Sequence, residues 1–157
     1  MALRQVRMRE EEILRKKCKD VKAFDEKLSQ LLDDMAETMY YYNGVGLAAP
    51  QVGILKKCVV IDIGEGLVEM VNPKVLDQKG AVVDNEGCIS VPGLGGKVER
   101  PQYVKVECMT RNGEKMIIEG EDLMARCLCH EIDHLDGILY TDKVIGDLFE
   151  VENDEED

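Results

Sequence analysis

The chain has no tryptophan, only two phenylalanines and only two histidines among its 157 residues. It has no apolar run near the roughly 20 residues that a membrane-spanning helix needs. Met1 to Glu12 mixes Arg and Glu with isolated apolar residues and holds no signal-peptide core. The chain is therefore expected to be cytoplasmic. Positive charge is in deficit: 20 Lys and Arg stand against 32 Asp and Glu, a net charge of −12. That balance gains nothing from phosphate backbones or anionic lipid, and it argues against nucleic-acid and membrane-surface binding. Six cysteines without a secretion signal read as thiols or ligands rather than a disulfide framework. No internal repeat is present. What remains is the composition of a single globular domain, 45% hydrophobic and 33% charged.

Both histidines fall in one stretch, His130-Glu-Ile-Asp-His134. On an α-helix, residues i and i+4 lie one above the other on the same face. Two imidazoles so placed can bind one metal ion, and the intervening Glu131 can reach a water beside it. The helix carrying them is predicted over 122–135, closed by Gly137, with Glu121 and Asp122 at its positive end. Leu123, Met124, Cys127, Leu128, Ile132 and Leu135 make it apolar over most of its circumference, so it is expected to be central and buried.

Upstream, residues 1–22 read as a charged arm or short helical turn anchored by Ile13, Leu14 and Val21. Asp25 is the predicted cap of a long helix over 26–42, whose Leu28, Leu31, Leu32, Met35 and Met39 share a buried face. Asn43-Gly44 stops it. Gly44 to Gln51 is rich in small residues that let backbone approach a neighbour closely, and it also reads as a tight loop under packed neighbours. Strands are predicted over 57–63, 67–71, 75–83, 103–110 and 115–119, with turns at Gly64–Gly66, Asn72-Pro73 and Asn112-Gly113. Strands in the middle and helices at both ends predict an α+β fold: antiparallel sheets around a central metal-binding helix, with a second long helix near the N-terminus. The domain is expected over 1–149, followed by an acidic, disordered tail over 150–157.

A catalytic ion needs a third protein ligand. The pattern of a metzincin protease continues through Gly137 but fails at Tyr140, where a third His belongs. The acids after His134 lie mostly in the tail. Cys127 shares the helix face but is about 10 Å from His134 along the axis. It reads as a pocket wall. Cys18, Cys58 and Cys108 lie in apolar patterns, and Cys129 points off the face. Cys88 remains, in Glu86-Gly-Cys-Ile-Ser90; alone it would pass as structural, but two unpartnered histidines make it the better ligand.

Three motifs now stand in order: Gly44-Val-Gly-Leu-Ala-Ala-Pro-Gln51, Glu86-Gly-Cys-Ile-Ser90 and His130-Glu-Ile-Asp-His134. Together they resemble the peptide deformylases. The resemblance implies a metal-dependent hydrolase that removes the N-formyl group from the N-terminal methionine of new proteins and releases formate. It implies metal ligation by Cys88, His130 and His134, proton transfer by Glu131, and oxyanion stabilisation by Gln51 and the Ile89 N–H. Gly44, Val45 and Gly46 would border the peptide cleft, and 93–96 would pair with an extended peptide. Val45, Leu123, Cys127 and His130 would hold the methionine side chain. It implies Fe²⁺ in the cell, with Zn²⁺, Ni²⁺ or Co²⁺ as substitutes, and ribosome proximity; the charge of the acidic tail argues against that segment as the contact. Two positions depart from the family pattern: Ile89 where Leu is usual and Cys129 where Gln is usual. A zinc endopeptidase would rest on the two histidines and Glu131 alone. A structural metal module would need a fourth protein ligand.

Overall fold

The computed structural model describes residues 2–151. Helix α1 (Glu26–Tyr41) starts where Asp25 accepts a hydrogen bond from the Leu28 N–H at 3.1 Å. Helix α2 (Leu123–Leu135) is the histidine helix. Eight strands lie around them: β1 (Gly46–Ala48), β2 (Cys58–Ile61), β3 (Val68–Lys79), β4 (Val82–Cys88), β5 (Val91–Arg100), β6 (Tyr103–Met109), β7 (Lys115–Glu121) and β8 (Ile145–Glu150). They form two antiparallel sheets, one ordered β1-β2-β3-β6-β7 and one ordered β4-β5-β8. The expected α+β architecture is present.

The larger sheet is covered on both faces. Strand β2 is buried throughout, as a strand between two helices must be. Its Cys58 and Val60 meet the α1 face of Leu28, Leu32, Met35 and Met39, while Val59 and Ile61 meet Ala125, Leu128 and Leu135 of α2. The smaller sheet has a slight apolar cluster of Val91, Val98 and Tyr140.

Three sequence expectations change, and strand β5 was not predicted. The stretch 44–51 is more than a loop: Gly46–Ala48 pairs with β2, and Ala49–Val52 forms a 3₁₀ turn. Asn72-Pro73 does not separate two strands; β3 runs through it with a register shift between Val71 and Lys74. Asn72 has a φ of 51°, and its side chain bonds the N–H and carbonyl of Val21 at 2.7 and 3.0 Å. A turn signature thus serves as a bulge that anchors the N-terminal arm. The Pro- and Gly-rich stretch after Cys88 is strand β5. Finally, Ile145–Glu150 is a strand, and the Val151 N–H reaches Gly93 O at 3.0 Å. The remainder of the expected tail, 152–157, lies outside the described residues.

The arm, with a 3₁₀ turn at Glu12–Arg15, runs beneath the future site. The Arg7 N–H donates to Gln51 O at 2.7 Å, the Arg9 N–H to Ser90 O at 3.0 Å and the Cys18 N–H to Leu135 O at 2.8 Å. It braces the ends of three elements that carry motif residues. Among the described residues no helix is long and apolar enough to cross a membrane.

Candidate active site

Helix α2 packs on the larger sheet and turns His130, Glu131 and His134 toward the seam between the sheets. Cys88 comes from the other side, at the end of β4, where a register shift follows Glu86. That shift breaks the alternation of the strand and re-aims the cysteine. The donor atoms of Cys88, His130 and His134 lie within 4.8 Å of one another. Cys88 Sγ is 3.4 Å from His134 Nε2. At a tetrahedral ion, metal–sulfur bonds of about 2.3 Å and metal–nitrogen bonds of about 2.0–2.1 Å set such a pair roughly 3.5 Å apart. The donors therefore fit one ion. His130 Nδ1 sits 2.8 Å from Glu86 Oε1, which leaves its Nε2 for the site.

The charges around the trio favour a cation. Burial disfavours the protonated form of His130, but Glu131, Cys88 and Glu86 outweigh it and raise its pKa. Burial and the positive charges of His130 and Arg100 lower that of His134. Burial raises Glu131 to about 7. Glu131 Oε1 is buried and takes no hydrogen bond from the protein. Its other oxygen packs against the backbone of Gly46, where an added Cβ would fall 2.5 Å from Oε2. Only glycine leaves that room.

Gln51 is 1% exposed and fixed at both ends. Its Oε1 accepts from the Ala48 N–H at 2.9 Å, and its Nε2 donates to Ser90 Oγ at 3.0 Å and to Cys88 Sγ at 3.3 Å. Ile89 opens the two-residue turn between β4 and β5, and its side chain fills the space beside Gly44. A cleft of about 510 Å³ opens onto Cys88, Ile89, His130 and Glu131, and Gly44, Val45, Gly46, Leu123 and Cys127 also line it; Gln51 and His134 lie behind this lining. Burial pushes the Cys127 thiol up to about 12, so it stays a neutral wall.

The sequence model of the polypeptide deformylase family matches residues 3–148. A peptide deformylase of Acetivibrio thermocellus is 60% identical over 145 residues, covering 92% of this chain and 85% of that one. Another, of Caldicellulosiruptor bescii, is 61% identical over 145 residues, covering 92% and 87%. The crystal structure of the peptide deformylase from Thermotoga maritima superposes with a TM-score of 0.90 at 41% identity, covering 92% of this chain and 99% of that one. The chain belongs to the peptide deformylase family.

Around its Cys/His/His group this deformylase carries a buried ionic cluster that sequence reasoning missed. Glu86 pairs with Arg100 at 2.8 and 2.9 Å and with Arg126 at 2.8 Å, besides holding His130. Arg100 also reaches Asp133 at 2.7 Å. Burial would raise the Glu86 carboxyl, but Arg100 and His130 hold it at about 2. One signal was available: Arg126 is the single charge within the otherwise apolar run Leu123–Cys129 of a helix expected to be buried. Cys129 faces away from the cleft, into a separate hollow of about 200 Å³ with Pro101, Ile132 and Lys143.

Proposed function

We propose that this chain removes the formyl group from N-formyl-methionyl peptides through a single divalent ion held by Cys88, His130 and His134. The convergence of those three donors beside Glu131, with Cys88, His130 and Glu131 lining one cleft, carries the reading. When bound, such an ion lowers the pKa of water toward neutrality and polarises the formyl carbonyl. One thiolate and two imidazoles suit Fe²⁺ or Zn²⁺, with Ni²⁺ and Co²⁺ as further occupants. Fe²⁺ is the ion proposed for the cell.

Glu131 takes a proton from the attacking water and delivers it to the leaving nitrogen. A carbon–oxygen bond forms, the carbon–nitrogen bond breaks, and formate and a free methionyl amine result. Gln51 Nε2 and the Ile89 N–H stabilise the oxyanion. Gln51 Nε2 already donates to Cys88 Sγ and Ser90 Oγ, which holds this donor beside the trio. Val45, Leu123, Cys127 and His130 enclose the methionine side chain. Gly44 to Gly46 and 93–96 flank the extended peptide, which binds by strand addition. Peptides that carry a formyl group emerge from the ribosome, so the proposed place of work is the cytoplasm beside it. The five acids among residues 152–157 are repelled by ribosomal RNA and make a poor anchor.

Formate release from formyl-Met-Ala tests the proposal. The metal-loaded protein is expected to release formate, and chelation is expected to stop it. Cleavage of internal peptide bonds without formate would establish an endopeptidase instead, and neither reaction would leave a structural metal module.

A further inference from the structure

The trio is assembled from two elements. His130 and His134 ride on α2, and Cys88 ends β4. Donors on separate elements hold one ion well only if the elements keep their relation to within a few tenths of an ångström. Apolar packing in the smaller sheet is slight, since its cluster is Val91, Val98 and Tyr140 with half-buried neighbours. A polar tie makes up the difference. Arg126 projects from α2 one turn before His130 and is 7% exposed. Its NH1 donates to Glu86 Oε2 at 2.8 Å, to Val98 O at 2.8 Å and to Asp84 O at 3.4 Å. Its NH2 donates to Val82 O at 2.8 Å. One guanidinium thus binds the backbone of β4 at two points, the backbone of β5 at one, and the carboxylate two residues before Cys88.

We infer that Arg126 is a positioning residue for the metal site: its fork clamps the β4–β5 hairpin to α2 and so fixes Cys88 against His130 and His134. The inference rests on the proposed ligand role of those three residues. A lysine cannot replace the fork, because a single ammonium cannot reach carbonyls on two strands and a carboxylate in fixed directions. Arg126 is among the residues that line the cleft, and methionine supplies an unbranched side chain without the guanidinium. Arg126→Met therefore keeps the wall and removes only the clamp.

The test measures metal affinity rather than turnover. Zn²⁺ dissociation constants are read by competition with a chromophoric chelator for the native protein, Arg126→Met, Arg126→Lys and Arg111→Met. Arg111 pairs with Glu69 and Asp33, none of them in the site, and controls for the loss of a structural arginine. Arg126→Met is expected to bind Zn²⁺ roughly 10- to 100-fold more weakly. Arg126→Lys should be about 5-fold or more weaker, and Arg111→Met within about twofold of native. In the Co²⁺-loaded proteins the thiolate-to-cobalt absorption should shift or weaken in both Arg126 variants. Native affinity and an unaltered cobalt spectrum in Arg126→Met overturn the inference. If that variant does not fold, native affinity in Arg126→Lys overturns it equally. A native protein that binds no stoichiometric metal brings down the functional reading, and this inference with it.

Discussion

The two sheets are held by different physics. The five-stranded sheet is fixed by apolar burial on both faces, with Leu32, Met35, Val59, Ile61 and Leu128 fully enclosed. The three-stranded sheet is fixed to the rest largely by charge: Glu86, Arg100 and Arg126 form a buried cluster, with half-buried Asp133 at its edge. Apolar burial is non-directional and tolerates small shifts. A cluster of forked, charge-assisted hydrogen bonds does not, and it fixes direction as well as distance. The seam between the sheets is where the cysteine of the smaller sheet meets the histidines of α2, the helix packed on the larger one. A site that must hold three donors to one point gains from having the directional interactions on the side that carries the lone cysteine.

The largest expected effect lies at the seam itself. Glu131→Gln keeps size and polarity but removes the proposed proton carrier. The rate of formate release should fall on the order of 10²- to 10⁴-fold with metal content near one per chain. Substantial residual activity would mean that the proton moves by another route.

The next pair of substitutions separates the two sheets. Glu86→Gln leaves Arg100 and Arg126 buried against a neutral amide, and it should cost about 3–5 kcal/mol of stability. Leu32→Ala empties part of the α1 core and should cost about 2–5 kcal/mol. Denaturant melts alone would not distinguish them. Zn²⁺ affinity would: it should drop about tenfold or more with Glu86→Gln, which loses the His130 contact, and stay near native with Leu32→Ala. Equal losses of affinity would erase the contrast between directional and apolar attachment.

Gly46→Ala probes the wall opposite the seam. The added methyl would sit 2.5 Å from Glu131 Oε2, and β1 cannot retreat because Gly46 pairs with Ile61. Glu131 must move instead. A displacement near 1 Å is enough for a rate loss of about 10- to 100-fold, with metal content unchanged. Gly44→Ala meets only the flexible tip of Ile89 and should lose less. If the two alanine variants are equally active, close approach to Glu131 is not what Gly46 provides.

The same contrast explains what could be read from the chain. Both helices were legible because apolar periodicity reports burial, and the trio was legible because two short motifs carry it, Glu86–Ser90 with the cysteine and His130–His134 with both histidines. The attachment of the smaller sheet was not. Gly95 and Gly96 suggest a loop, yet a Cβ on either would collide with Phe149 or Val144 as those side chains cross β5. The glycines are there to let β8 lie down, and no local propensity says so. Glu86, Arg100 and Arg126 look like surface charges one at a time. Only the fold brings them together, because they are far apart in sequence and their burial depends on pairing. Asn72-Pro73 misled for a related reason: its turn chemistry is real but is used on the arm, through Val21.

The smallest effect concerns the chain end, where β8 reaches into the start of the expected tail. Glu150 pairs with Leu94 and Phe149 with Gly95, and the Val151 N–H bonds Gly93 O while its side chain lines the cleft. Tolerance to truncation follows the burial and hydrogen bonding of what is removed. A cut after Val144 therefore strips a strand from β5 and one wall from the cleft, and KM for a soluble formyl-peptide should rise several-fold. A cut after Val151 keeps every one of these bonds and removes five acids that repel RNA. With that shorter cut, kcat/KM on the same peptide should stay within about twofold of native and ribosome co-sedimentation should not weaken. A clear loss of either with the cut after Val151 would assign the acidic segment a role in catalysis or docking that neither its charge nor the strand before it supports.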